Sequence, residues 1–93
     1  MHYFYILHSD TLDRYYTGET SNLDVRLDLH NFHHFKNSFT KSASDWKIVL
    51  KKECKNRNKS LYLEKFVKRM KSKEFIEKVI ITPEILDDIL NKK

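Results

Sequence analysis

Tyr5, Tyr16, Arg26, His30 and Glu64 are the residues of this 93-residue sequence whose types and spacing could do chemistry. The two tyrosines have ten residues between them and fall on segments that read as paired strands, so their rings are expected to be neighbours. Taken alone, that pair fits aromatic packing as well as chemistry. A free phenol ionises near a pKa of about 10, so it takes up a proton at neutral pH only where its surroundings, a cation such as Arg26 for instance, depress that value. Arg26 is suited to an anion: its guanidinium stays protonated and can hold two oxygens of a phosphate at once, which an ammonium group cannot. His30 can orient a water or a phosphate, or simply pack at a helix edge. Glu64 stands four residues before Lys68, the spacing of an ordinary surface ion pair. A lone carboxylate is nonetheless enough for Mg²⁺, which keeps several waters and takes one or two protein carboxylates plus phosphate oxygens. His30, His33 and His34 could hold zinc, but no cysteine pair accompanies them, and solvated loop histidines are the better reading.

The elements that must position these groups can be read from pattern. Residues 3–8, YFYILH, are aromatic and β-branched and end at Ser9-Asp10, a strand running into a turn. Arg14 to Thr17 then reads as a second strand that stops at Gly18, and the two form a hairpin. Gly18, the only glycine, marks a turn position where a backbone without Cβ is needed. Ser21 and Asp24 approximate a capping box for a helix to about Asn31. On that helix Leu23 and Leu27 sit one turn apart with Arg26 and His30 on their flank, while Val25 and Leu29 make a second apolar line.

Residues 32–45 read as a surface loop, and Trp46 to Glu53 as a third strand. Asn58 or Ser60 caps a helix through Met70 whose broad apolar face carries Tyr62, Leu63, Phe66, Val67 and Met70. Ser72 starts another helix through Ile80, and Thr82-Pro83-Glu84 opens a last one to Leu90, with Thr82 as its cap. The order β-β-α-β-α-α-α predicts an α+β domain with a small, mainly antiparallel, three-stranded sheet flanked by helices.

Composition limits the function classes. Forty per cent hydrophobic and thirteen per cent aromatic residues, with one Gly and one Pro, exclude a disordered or fibrous chain. The single cysteine, Cys54, cannot form an internal disulfide, which favours a reducing compartment and hence the cytoplasm. No segment reads as a signal peptide or a membrane span, so no membrane partner is expected. Charge is unevenly divided: residues 1–32 hold two Lys/Arg against five Asp/Glu, a balance of −3, whereas residues 33–78 hold fourteen against five, a balance of +9. Such a basic block concentrates a polyanion by releasing its counterions, and it serves equally as a solvated face.

Tyr3-Phe4-Tyr5, then Tyr16-Thr17-Gly18, then Arg26 and His30 on one helix and Glu64 on another, together resemble the GIY-YIG nuclease family. The likeness is to its small standalone members, related to the nuclease module found at the N-terminus of DNA-repair excinuclease, and it covers residues 3 to 80 or so. Tyr5 matches the last tyrosine of the first triplet, Tyr16 the first tyrosine of the second, and Gly18 completes that triplet. The stretch TGETSNLDVRLDLHN places Arg26 on the family's catalytic arginine and His30 on its common histidine partner. Leu61-Tyr62-Leu63-Glu64-Lys65 places Glu64 on the metal-binding glutamate. Tyr3 stands where the first triplet has glycine, Phe4 where it has isoleucine, and Thr17 where the second has isoleucine. Residues 39–45 lack the arginine-rich and proline character frequent there.

The resemblance implies an endonuclease that uses Mg²⁺ or Mn²⁺ to hydrolyse phosphodiester bonds in DNA, of a structured or repair-related kind. Tyr5 or Tyr16 would be the general base. Residues 1–80 would form the nuclease-like domain and 81–93 a helical extension of it. Lys41, Lys47, Lys51 and Lys68, with Lys52, would track the nucleic-acid backbone. Two rival readings are a catalytically silent nucleic-acid-binding module, motivated by the basic block and the altered triplets, and a protein-interaction domain presenting Ile85, Leu86 and Ile89 of the last helix.

Overall fold

The run from His2 to Ser9 becomes strand β1, in which Phe4, Tyr5, Ile6 and Leu7 are all buried. Four consecutive buried residues have no polar face, and the sheet explains why: β1 is the central strand, between β2 (Arg14–Thr20) and β3 (Trp46–Cys54), antiparallel to both. The chain is seen here in a computed structural model that describes residues 1–31 and 43–92. The remaining elements are α1 (Leu23–Asn31), α2 (Arg57–Met70), α3 (Lys73–Ile81) and α4 (Glu84–Asn91). The α+β order read from the sequence is the one observed. No helix among the described residues is long and apolar enough to cross a membrane.

Alternation along β1 sorts its side chains between two layers. Phe4 and Ile6 point to the helical layer, against Leu63 and Val67 of α2, Val79 of α3 and Leu86 of α4. Tyr5 and Leu7 point the other way, where they meet Trp46 and the α1 residues Leu23 and Leu27. Each of the buried apolar side chains contributes roughly 2–5 kcal/mol against truncation to alanine. Helix α2 packs chiefly on β2, the edge strand, so one flank of this helix reaches past the sheet edge.

Several boundaries differ from the expected ones, each for a local reason. Gly18 lies inside β2 rather than at a turn beyond it, and its φ is not positive. The cap of α1 is Asn22, whose Oδ1 accepts from the Val25 amide at 3.2 Å; Ser21 does not fill that role. Asn56, not Asn58 or Ser60, caps α2 by accepting from the Lys59 amide at 3.0 Å. Ser72 caps α3 as expected, accepting from Phe75 at 3.1 Å. Thr82 does not cap α4 through its side chain; Pro83 occupies the cap position with no side-chain bond. Leu86 and Ile89 of α4 are buried in the domain's own core, so they are not available to a partner as the interaction-domain reading required.

Two polar devices fix the layers. Asn31, the last residue of α1, brackets Trp46 at the start of β3: its Nδ2 donates to the Trp46 carbonyl at 2.9 Å and its Oδ1 accepts from the Trp46 amide at 2.7 Å. Asp45 closes the hairpin end by accepting from Ser9 Oγ at 2.6 Å and from the Thr11 amide and hydroxyl at 2.9 Å. Those bonds hold its carboxyl at a pKa of about 2, below the ordinary carboxylate range, with Ser9 the largest cause.

Candidate active site

Register across the hairpin sets the first part of the site. Tyr5 pairs with Gly18 and Leu7 with Tyr16, so Tyr5 and Tyr16 are diagonal neighbours on the α1 side of the sheet, ring centroids 6.5 Å apart. The Tyr5 ring lies over the backbone of Gly18: a Cβ there would stand 2.6 Å from Tyr5 Cζ and also collide with its hydroxyl oxygen. Glycine is therefore required by close approach and not by backbone conformation.

Helix α1 supplies the second part. Its one-turn spacing brings Arg26 and His30 to the same side of the helix, with His30 against the two rings. His30 is buried, its ring centroid 4.6 Å from that of Tyr16 and its Nε2 3.2 Å from Tyr5 Oη, a hydrogen bond. Burial, and next the Arg26 charge, push the His30 pKa down to about 4, so the imidazole is neutral at physiological pH. Arg26 is half-buried one turn before His30, and its charge acts on Tyr5, Tyr16 and His30 alike.

Helix α2 closes the site from the edge of β2. Glu64, its side chain 20% exposed, raises the pKa of both phenols through its charge, and Lys68 lies 3.8 Å from its carboxylate with Nζ 5.5 Å from the Tyr16 ring centroid. One turn before Glu64, the buried Ser60 donates to Glu19 Oε2 at 3.0 Å, and Glu19 also takes His2 Nδ1 at 3.0 Å and Arg57 Nε at 3.5 Å. This latch between β2 and the start of α2 fixes the helix's rotation, and with it the direction in which Glu64 faces.

Tyr5, Tyr16, Arg26, His30, Glu64 and Lys68 are thus brought together. Of the other lysines, the described ones are not grouped with them. Lys47 sits at the hairpin end and pairs with Asp10 at 3.1 Å. Lys51 is the register partner of Tyr5 on β3, exposed beside Tyr3 and Asp24, and Lys52 pairs with Asp87 of α4 at 2.6 Å. Lys41, His33 and His34 lie outside the described residues, and among those described no cluster of three or more His, Cys, Asp or Glu could hold a metal.

The electrostatics correct one expectation. The surroundings were expected to depress a tyrosine pKa, yet both phenols are raised. For Tyr5 burial is the largest cause and the neighbouring Tyr16 the next; for Tyr16 it is burial and then Glu64. Arg26 pulls both downward, but burial outweighs it. Sequence reasoning also missed the roles of Asn31, Glu19 and Ser60, which set where α1 and α2 stand. None carries a local signal, since each acts through a partner at least fifteen residues away.

What this geometry offers chemically is a fixed guanidinium beside two phenols and a neutral imidazole, facing a partly exposed carboxylate: cationic charge for an anionic substrate and proton-carrying groups next to it. No curated protein and no solved structure matches the chain. The sequence model of the GIY-YIG catalytic domain matches residues 1–78, which spans every residue of the cluster. With more than three quarters of its length covered by that match and both tyrosines, the arginine and the glutamate converging in space, the chain belongs to the GIY-YIG nuclease family.

Proposed function

We propose that the protein is an endonuclease that hydrolyses phosphodiester bonds in DNA of a structured or repair-related kind, assisted by Mg²⁺ or Mn²⁺. The observation that carries this reading is the convergence of Tyr5, Tyr16, Arg26 and His30 opposite Glu64. The donor chemistry fits a hard, hydrated cation: Glu64 is a single carboxylate at the rim, sufficient when water and phosphate oxygens complete the shell. Bound there, the cation supplies positive charge that offsets Glu64 and draws charge from the phosphate oxygens.

The protein's own groups divide the remaining work. Arg26 holds a non-bridging oxygen and neutralises charge that builds there as the bond to phosphorus forms. Tyr16 is the better placed of the two phenols to act on the attacking water, because it is less buried than Tyr5; burial and then Glu64 raise its pKa, so it would take the water's proton only as the phenolate, after giving its own proton to solvent. Tyr5 is held by His30 and keeps its proton, so it orients rather than accepts. His30, neutral, anchors that phenol and walls off the site. A single buried cysteine suits a reducing compartment such as the cytoplasm.

Purified protein incubated with supercoiled and branched DNA in Mg²⁺ should nick it, and Glu64→Gln or Arg26→Ala should lower the rate by about 10²–10³. Unchanged rates in both variants would refute the roles given. The raised phenols favour a second reading, a silent binding module; salt-sensitive DNA binding with no cleavage under any divalent cation is its signature.

A further inference from the structure

Beside the cluster, between β2 and the corner where α2 passes into α3, runs an open groove of about 780 Å³. Its floor is apolar, with Val67, Ile76 and the Tyr15 and Tyr16 rings, and its rim carries three cations, Arg14, Lys68 and Lys71. No carboxylate is among its described lining residues, although two border it: Glu64, 3.8 Å from Lys68, and Glu77, which accepts from the Tyr15 hydroxyl at 3.3 Å. The groove continues directly into the site, because Tyr16 and Lys68 belong to both.

We propose that this groove is a binding subsite for one unpaired nucleotide of the DNA strand next to the bond that is cut. The proposal rests on the nuclease reading and narrows its substrate to DNA with a single-stranded stretch. Charge complementarity selects the occupant: a cationic rim takes phosphate oxygens, while an aromatic and aliphatic floor takes the flat face of a base or the sugar. A base inside a duplex keeps its faces stacked on its neighbours and leaves such a floor uncovered. The volume falls within the roughly 300–1,000 Å³ of small-molecule sites.

Lys71 adds a second observation. It stands in the left-handed region, φ 49° and ψ 40°, at the C-terminal cap of α2, where glycine is the favoured residue. The chain keeps a lysine there at a conformational cost, and the side chain lines the groove. A cation at that helix end also complements the helix dipole, but this alone predicts no effect on DNA.

The test is fluorescence anisotropy in EDTA, so that binding is read without cleavage, using a short labelled single strand and the blunt duplex of the same sequence. Wild type is expected to bind the single strand more tightly than the duplex. Lys71→Gly and Arg14→Gln should each weaken single-strand binding about five- to tenfold and lower its salt slope by about one, while changing duplex binding less than about twofold. The melting temperature of Lys71→Gly should not fall, which separates lost binding from lost folding. Equal loss on both DNAs, no loss in either variant, or no single-strand binding at all would overturn the subsite. Groove-dependent single-strand binding by a protein that never cuts would leave the subsite standing and remove the nuclease reading.

Discussion

Replacing Gly18 with alanine tests the site and the fold with one atom. The added Cβ would sit 2.6 Å from Tyr5 Cζ and 3.0 Å from Cε1, where carbon atoms prefer roughly 3.5–4.0 Å. The ring must retreat by about 1 Å, but Tyr5 is only 2% exposed and packs against Leu7 and Trp46, so it has little room. Overpacking of this size costs about 1–3 kcal/mol, offset by the ~0.5–1 kcal/mol gained when alanine replaces a glycine within a strand. A net loss of about 1–2 kcal/mol follows, a fall in Tm of roughly 4–16 °C for a domain of this length. Urea titration of four proteins, wild type, Gly18→Ala, Tyr5→Leu and the double variant, isolates the contact. All three atoms nearest the new Cβ belong to the Tyr5 side chain, so in the Tyr5→Leu background alanine should be neutral or slightly stabilising. Equal destabilisation in both backgrounds, or none in the wild-type background, would refute the close-approach explanation.

Other consequences can be measured alongside. A histidine whose pKa falls from 6.5 to about 4 on folding links about 3 kcal/mol of stability to pH. That stability is complete above pH 6.5 and is lost as pH falls through 4, because the unfolded chain binds the proton more tightly; chemical denaturation across this window should show the slope in wild type and lose it in His30→Gln. Asn31→Ala removes two hydrogen bonds to the Trp46 backbone and should cost about 1–3 kcal/mol by urea melt, with lowered nicking as α1 loosens. Leu86→Ala, fully buried far from the phenols, should cost about 2–5 kcal/mol while leaving kcat at low temperature within about twofold.

How far the chain could be read from its sequence depended on whether the controlling interaction was local. The strands, the helices and the diagonal meeting of Tyr5 with Tyr16 follow from period and hairpin pairing, and so does the side of α1 shared by Arg26 and His30. Gly18 stood out by its uniqueness, but its reason, a ring lying on its backbone, is a cross-strand fact that no neighbouring residue reports. The caps slipped by one to four residues because Ser21, Asn22, Asn56, Asn58 and Ser60 are all competent acceptors, and packing of the helix decides among them. Ser60, lost as a cap, is used instead by Glu19 of the edge strand. The tyrosine pKa values ran opposite to expectation because a formal charge is visible in a sequence and desolvation is not.

Tyr5 sits in β1, whose ladder is hydrogen-bonded on both sides and whose two faces are both covered. Of the described strands it has the most to lose before it opens, so its amides should exchange with solvent only through complete unfolding. The β1 phenol of the candidate site then has no loosened form apart from the unfolded chain: loss of its packing and loss of the whole domain should coincide in temperature.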